Sequence, residues 1–275
     1  MNRLRVSGGR RPGRRHVQSG LPCQDAYAIL DQPELGRAAA AVADGLGSEP
    51  LSGTGSQVAA DAAVAWLAQQ ETWDDASLPR AFEMAREALV AKAGELGVPL
   101  NALATTLQVA TLDGRRVRAA MVGDGAIVLA NPTASEDEAI AGTSSAAATT
   151  TTVPSVPVTV LQDDVAHASL LLAPPQAEYT NEVVPLTAMA WRRHLREATG
   201  EGDGVLLFSD GLTRLLLAKG KEGWSPFHPF FEAFLPHLRA ASFDERLVEG
   251  FLARPDVDRS WDDDKCLVVL AHGPR

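Results

Sequence analysis

Short apolar runs broken by glycine and acidic residues fill most of this 275-residue chain, and the breaks carry as much information as the runs. From about Leu4 to Ala43 the pattern is that of strands, with QDAYAIL and RAAAAVA separated by a turn containing Pro33. The Gly/Ser stretch GSEPLSGTGSQ then opens a helix. In it Gly55, Val58, Ala62, Ala65 and Trp66 recur at three- and four-residue spacing and predict one apolar face. A second helix is predicted from Ser77, with Pro79 in its first turn, Phe82, Ala85, Leu89, Ala93 and Leu96 inward, and Gly97 as its stop.

After Asn101 the period changes to two, through TTLQVATL, RRVRAAMVG and AIVLA, and Asp113-Gly114 between the first two runs predicts a hairpin turn. From about Asn131 to Pro157 the chain is dominated by Ala, Thr and Ser, with Glu136, Asp137 and Glu138 as an acidic patch. Too little bulky apolar content is present there to pack, which predicts disorder. VTVLQ and SLLLA resume the strand pattern, Ser242 and Glu245 read as a capping box for a helix through Phe251, and KCLVVLAH closes as a strand. Strands, helices, strands, helix and strand in that order predict an α+β layered fold, taken as one domain over residues 1–275.

Composition narrows the classes of partner. A net charge of −10 excludes general binding to nucleic acid or anionic membrane, both of which require a cationic face. No apolar stretch approaches the roughly 20 residues of a membrane span, and the start lacks the apolar core of a secretory signal, so a cytoplasmic location is expected. Arg3, Arg5, Arg10, Arg11, Arg14 and Arg15 crowd the first segment, either as a solvated arm or as an edge that attracts phosphate. Cys23 and Cys266 form no disulfide framework or zinc spacing. The positions six residues beyond them carry Ile29 and His272 where a cysteine phosphatase needs arginine, so cysteine catalysis is not expected.

The candidate chemistry lies where apolar runs stop. Three of them end in Asp-Gly, at Asp44-Gly45, Asp124-Gly125 and Asp210-Gly211, and Asp262, Asp263 and Asp264 open the last run. Each Asp-Gly alone reads equally well as a turn. Together they point to carboxylates converging at strand ends. Two carboxylates about 4 Å apart repel by roughly 4 kcal/mol at an effective dielectric near 20, so convergence calls for a proton or a multivalent cation among them. Oxygen donors without sulfur or imidazole select a hard dication. Ser209, beside Asp210, has no base partner at a recognisable spacing and is not expected to be a nucleophile.

The segments GLPCQDA, VADGLGS, ATTL, VGDG, FSDGL and DDDKCLVVL, in this order over nearly the whole chain, resemble the metal-dependent type 2C protein serine/threonine phosphatases in their small bacterial form, and EYTNEVVPL resembles a bacterial subgroup of them. The resemblance implies a four-layer α/β/β/α sandwich of two antiparallel sheets flanked by helices. It also implies a site for two Mg²⁺ or Mn²⁺ ions, with a third in some members. Carried over, Asp44 would bridge two ions, the Gly45 carbonyl would bind one, Asp210 and Asp263 would complete the pair, Asp124 would hold a third, and Asp25 would hold water from behind. An activated water would hydrolyse phosphoserine or phosphothreonine in proteins directly, opposing a bacterial Ser/Thr kinase. The chain departs from the family where an arginine is expected to grip phosphate: His16, after Arg14, stands in that neighbourhood, and Gln24 replaces a glutamate. These departures motivate a second class of function, a pseudophosphatase that holds a phosphoprotein or kinase without turnover.

Overall fold

The computed structural model describes residues 4–131, 168–175, 183–240 and 243–273. Its strands are β1 (Leu4–Arg11), β2 (Ala26–Gln32), β3 (Arg37–Ala43), β4 (Leu107–Asp113), β5 (Arg116–Val122), β6 (Ala126–Ala130), β7 (Ala168–Leu172), β8 (Arg196–Glu201), β9 (Gly204–Phe208), β10 (Leu217–Gly220), β11 (Gly223–Pro226) and β12 (Lys265–His272). Its helices are α1 (Arg14–Ser19), α2 (Ser52–Ala68), α3 (Ser77–Leu96), α4 (Trp191–His194), α5 (Thr213–Leu216), α6 (His228–Arg239), α7 (Leu247–Leu252) and α8 (Pro255–Asp258).

Two five-stranded antiparallel sheets stack face to face, ordered β2-β3-β4-β5-β8 and β1-β12-β9-β6-β7. Three apolar layers separate four layers of structure. One lies between α2, α3 and the first sheet, and includes Ala39, Ala41, Ala43, Leu67, Phe82, Leu89 and Val109. The second fills the space between the sheets with Ala38, Ala40, Val42, Met121, Ile127, Leu207 and Val268. The third joins the second sheet to α6 and α7 through Phe208, Phe231, Leu238, Val248 and Val269. Alternate residues of β3 thus serve two different cores, which is why the whole strand RAAAAVA is buried and shows no polar face. The α+β sandwich expected from the motif order is the fold found.

Several local expectations change. The buried face of α2 is Ser52, Gly55, Ser56, Ala59, Ala60, Ala63, Val64 and Leu67; of the predicted stripe it keeps Gly55 and leaves out Val58, Ala62, Ala65 and Trp66. Alanine occupies both faces of this helix, so apolar periodicity carries little signal; close approach to the alanine-rich β2 and β3 selects the face instead. In α3 the predicted inward residues are buried except Leu96, which is 42% exposed one residue before the Gly97 cap. The arginine-rich start is a sheet strand and not a free arm: β1 pairs with β12 along its length, and Arg5 donates to the carbonyls of Leu238 and Ala240. The helix read from Ser242 begins instead at Leu247 with Arg246 as its cap. Ser242, VTVLQ, residues 178–182 of EYTNEVVPL and the low-complexity residues 132–157 lie outside the described residues. No helix among the described residues is long and apolar enough to cross a membrane.

Candidate metal centre

Antiparallel pairing brings the acidic breaks to one end of the sandwich. Ala43 at the end of β3 pairs with Ala26 at the start of β2, so Asp44 and Asp25 are neighbours across the ladder. Phe208 pairs with both Ala126 and Leu267, which places Asp210, Asp124 and the acidic triplet around the adjoining strand ends. Asp44, Asp124 and Asp210 each offer a carboxylate oxygen within 4.8 Å of the others. They open on a cavity of about 390 Å³, also lined by Arg15, His16, Gln24, Gly45, Thr106 and the triplet Asp262, Asp263 and Asp264. That volume accommodates a phosphorylated side chain with ordered water.

The backbone around these aspartates is held tightly. The Asp44 amide donates to Thr106 Oγ1 at 3.0 Å, while its carbonyl accepts from Thr106 N at 2.8 Å and from Thr105 Oγ1 at 2.9 Å. Fixing Asp44 is therefore what the two threonines of ATTL do. A Cβ on Gly45 would lie 2.8 Å from the carbonyl oxygens of Gln24 and Ser52, so the strand end approaches α2 only because that position is glycine. Behind Asp124, Arg196 of β8 donates to the carbonyls of Gly123 and Ala173. Nothing in the sequence singles Arg196 out, because the strand carrying it is 72 residues beyond Asp124 and outside every acidic motif.

Asp25 is 1% exposed, with Oδ2 accepting from Ser209 Oγ at 2.7 Å. Ser209 Oγ in turn accepts from the Cys266 amide at 2.9 Å, so this serine orients a carboxylate and ties β9 to β12. Arg10 fixes the same segment through the Asp25 carbonyl at 2.6 Å. The triplet divides its work. Asp262 pairs at the surface with Arg14, 2.7 Å away. Asp264 is 3% exposed and spends both oxygens inside the protein, accepting from Gly13 N, Gln24 N and His16 Nδ1. Asp263, between them, is exposed and lines the cavity, outside the close group of Asp44, Asp124 and Asp210.

Of the residues expected to grip phosphate, Arg14 is occupied by Asp262 and is not part of the cavity lining, whereas the next residue, Arg15, is. His16 lines the cavity with its Nδ1 held by Asp264. Both thiols stay protonated: burial pushes Cys23 and Cys266 up, with nearby Asp25 adding to it.

Electrostatics mark the cluster as one that calls for protons or cations among its carboxylates. Burial, then repulsion from Asp25, Asp210, Asp124 and Asp263, raises Asp44 well above the ordinary carboxylate range. Burial raises Asp210 to about 7, with Asp124 and Asp263 adding to the rise. Asp124 moves the same way through burial and Asp263, opposed by Arg196. Asp25 Oδ1 and Gln24 Oε1 are buried acceptors with no donor among the described residues. An all-oxygen set with unsatisfied acceptors and compressed negative charge fits a hard dication such as Mg²⁺ or Mn²⁺.

The same shifts dictate how stability depends on pH. Carboxylates whose pKa is raised on folding bind protons more tightly in the native state than in the unfolded one. Their contribution is present below the ordinary value of 3.8 and is lost as pH rises through about 7. The melting temperature of EDTA-treated protein is therefore expected to fall between about pH 5 and about pH 8. Mn²⁺ is expected to raise it more at the upper pH than at the lower. Scanning calorimetry at several pH values checks both, and a metal-free melting temperature that climbs across this interval would contradict the assignment.

Comparison with known proteins agrees with this arrangement. The family described as Protein phosphatase 2C matches residues 12–252. Serine/threonine-protein phosphatase 3 of Escherichia coli K12 is 28% identical over 278 residues, covering 94% of this chain and 94% of that protein. The solved S. agalactiae serine/threonine phosphatase superposes with a TM-score of 0.62 at 13% identity, covering 98% of this chain and 99% of that one. The structure of RsbX in complex with magnesium superposes with a TM-score of 0.55 at 12% identity, covering 98% and 96%. With its sandwich fold, its acidic cluster at one end and a family match across most of its length, the chain belongs to the protein phosphatase 2C family.

Proposed function

We propose that this phosphatase hydrolyses phosphoserine and phosphothreonine in proteins with the help of two Mg²⁺ or Mn²⁺ ions, and that it opposes a bacterial Ser/Thr kinase in the cytoplasm. The observation that carries the reading is the group of Asp44, Asp124 and Asp210, three carboxylates within 4.8 Å whose mutual repulsion only bound cations or protons can offset. Asp44, the Gly45 carbonyl, Asp210 and Asp263 are the proposed ligands of the two ions, with Asp124 for a third. Bound there, the ions would supply Lewis acidity toward the phosphoryl group and acidify the attacking water.

The chain's own residues supply position and water control. Asp25, oriented by Ser209 and backed by Arg10, presents its donor-free Oδ1 toward the cluster to hold water. Gln24 Oε1 offers a second acceptor of the same kind. Arg15 takes the proposed role of phosphate contact in place of Arg14, since it lines the cavity and Arg14 is consumed by Asp262. The name of the E. coli relative supports a phosphoserine or phosphothreonine substrate.

Phosphate release from a phosphothreonine peptide, measured with Mn²⁺ and again with excess EDTA, tests the reading. Release is expected only with Mn²⁺. Folded protein that releases none in either condition would favour the alternative of a binding module.

A further inference from the structure

We propose that Lys265 is a positioning residue of the metal centre, clamping the segment that carries Asp263 to the segment that carries Asp210; this rests on the ligand assignment proposed above. Lys265 is the first residue of β12 and is fully buried, a state lysine rarely adopts. Its Nζ donates to the carbonyl of Trp261 at 2.7 Å and to the carbonyl of Asp263 at 3.0 Å. One ammonium therefore closes residues 261–265 into a loop, with Asp263 exposed upon it. The stem of the same side chain passes Gly211, whose Cβ, if it had one, would lie 3.4 Å from Lys265 Cγ. Head and stem of one residue thus meet both segments that bear the proposed ligands.

A second link joins the same two stretches from the surface. Arg214 of α5, which follows Asp210 and Gly211 directly, places its guanidinium carbon 3.7 Å from the centroid of the Trp261 ring. The carboxylate of Asp263 has local support alone: its Oδ1 accepts from the neighbouring Asp264 amide at 3.0 Å. An exposed side chain on an open loop would have to be ordered when an ion binds, and a loop closed beforehand removes that cost. The choice of acceptors matters as well. Lys265 holds the loop by its carbonyls, so the ammonium orders Asp263 without pairing with the oxygens that an ion would use. Support of the fold by itself gives no reason for lysine here, because an apolar residue of similar volume commonly replaces a buried charge at no loss of stability.

The test separates metal affinity from folding. Mn²⁺ binding is measured by isothermal titration at one fixed pH, and the melting temperature is measured in EDTA. Lys265→Met is expected to raise the apparent Kd for Mn²⁺ about tenfold, as loss of a group that orients a ligand does. Its metal-free melting temperature should stay within about 3 °C of wild type. Arg214→Ala, at an exposed position, is expected to raise the Kd about threefold through loss of the stacked cation. A Kd for Lys265→Met within about twofold of wild type would overturn the proposal, whatever its melting temperature. If Lys265→Met does not fold or melts far lower, Arg214→Ala decides, and a Kd equal to that of wild type overturns the clamp. Wild-type protein that binds no Mn²⁺ removes the ligand assignment and this inference together, whereas wild type that binds Mn²⁺ as tightly as Lys265→Met removes this inference alone.

Discussion

Asp44→Asn is expected to lower metal-dependent phosphate release by on the order of 10³-fold while raising the melting temperature of the metal-free protein. The two effects have one cause. Asp44 stands at the end of β3 with Asp25, Asp124, Asp210 and Asp263 around it, and burial and these four neighbours all raise its pKa. The amide keeps the shape and removes the charge, and its NH₂ can donate toward the oxygens of Asp25 and Asp210. Relief of that repulsion is worth roughly 1–3 kcal/mol, or a few degrees per kcal/mol in a chain of this size. The same neutralisation removes the anion best placed among the cluster for a dication, so Mn²⁺ should no longer stabilise the variant. Calorimetry with and without Mn²⁺, alongside the peptide assay, reads both halves. A variant that is inactive but still stabilised by Mn²⁺ as the wild type is would place the ion elsewhere.

A second large effect is expected from a residue that carries no charge. A Cβ at Gly211 would lie 1.8 Å from the backbone carbonyl oxygen of Asp264 and 3.4 Å from the Lys265 side chain. That carbonyl belongs to the entrance of β12, where Asp264 is pinned to Gly13, Gln24 and His16, so neither side can give way cheaply. Gly211→Ala should therefore cost about 3 kcal/mol or more and lower the melting temperature by several degrees. It should also weaken Mn²⁺ binding, because the displaced backbone carries Asp210 on one side and Asp263 on the other. Gly94→Ala in α3 is the contrast: nothing lies within 4 Å of its Cβ, and alanine there should stabilise by about 0.5–1 kcal/mol. Equal melting temperatures for the two variants would show that the contact between the Asp210-Gly211 segment and the start of β12 is looser than its geometry implies.

Much of the fold was legible before any coordinates. Period-two runs, the Asp113-Gly114 turn and the capped α3 read correctly because each is a local pattern with a local physical cause. The face of α2 did not, since alanines all round a helix leave the choice of buried side to its partner sheet. Nor did α1; and although the segment from Leu4 read as strand, its arginines left a free arm open, because the pairing of β1 with β12 and the carbonyl partner of Arg5 on α6 are long-range. At the site, strand-end aspartates were readable as a set because Asp-Gly after an apolar run is a visible signature. Their supports were not: Ser209 looked like a failed nucleophile and orients Asp25, and the threonines of ATTL looked like part of a strand and hold the Asp44 backbone.

What the sequence determined by itself is therefore the layered α+β class and the identity of the acidic breaks, because strand periodicity and Asp-Gly chemistry act over a few residues. The division of labour within Asp262, Asp263 and Asp264 was decided only by tertiary structure. Three identical side chains in a row differ solely in what faces them: Arg14 at the surface, the cavity, and the buried amides of Gly13 and Gln24 with His16. The same holds for Arg14 and Arg15, adjacent and alike in sequence, of which only the second lines the cavity. Such distinctions depend on contacts between segments some 250 residues apart, and no local pattern encodes which of several equivalent groups a distant strand will meet.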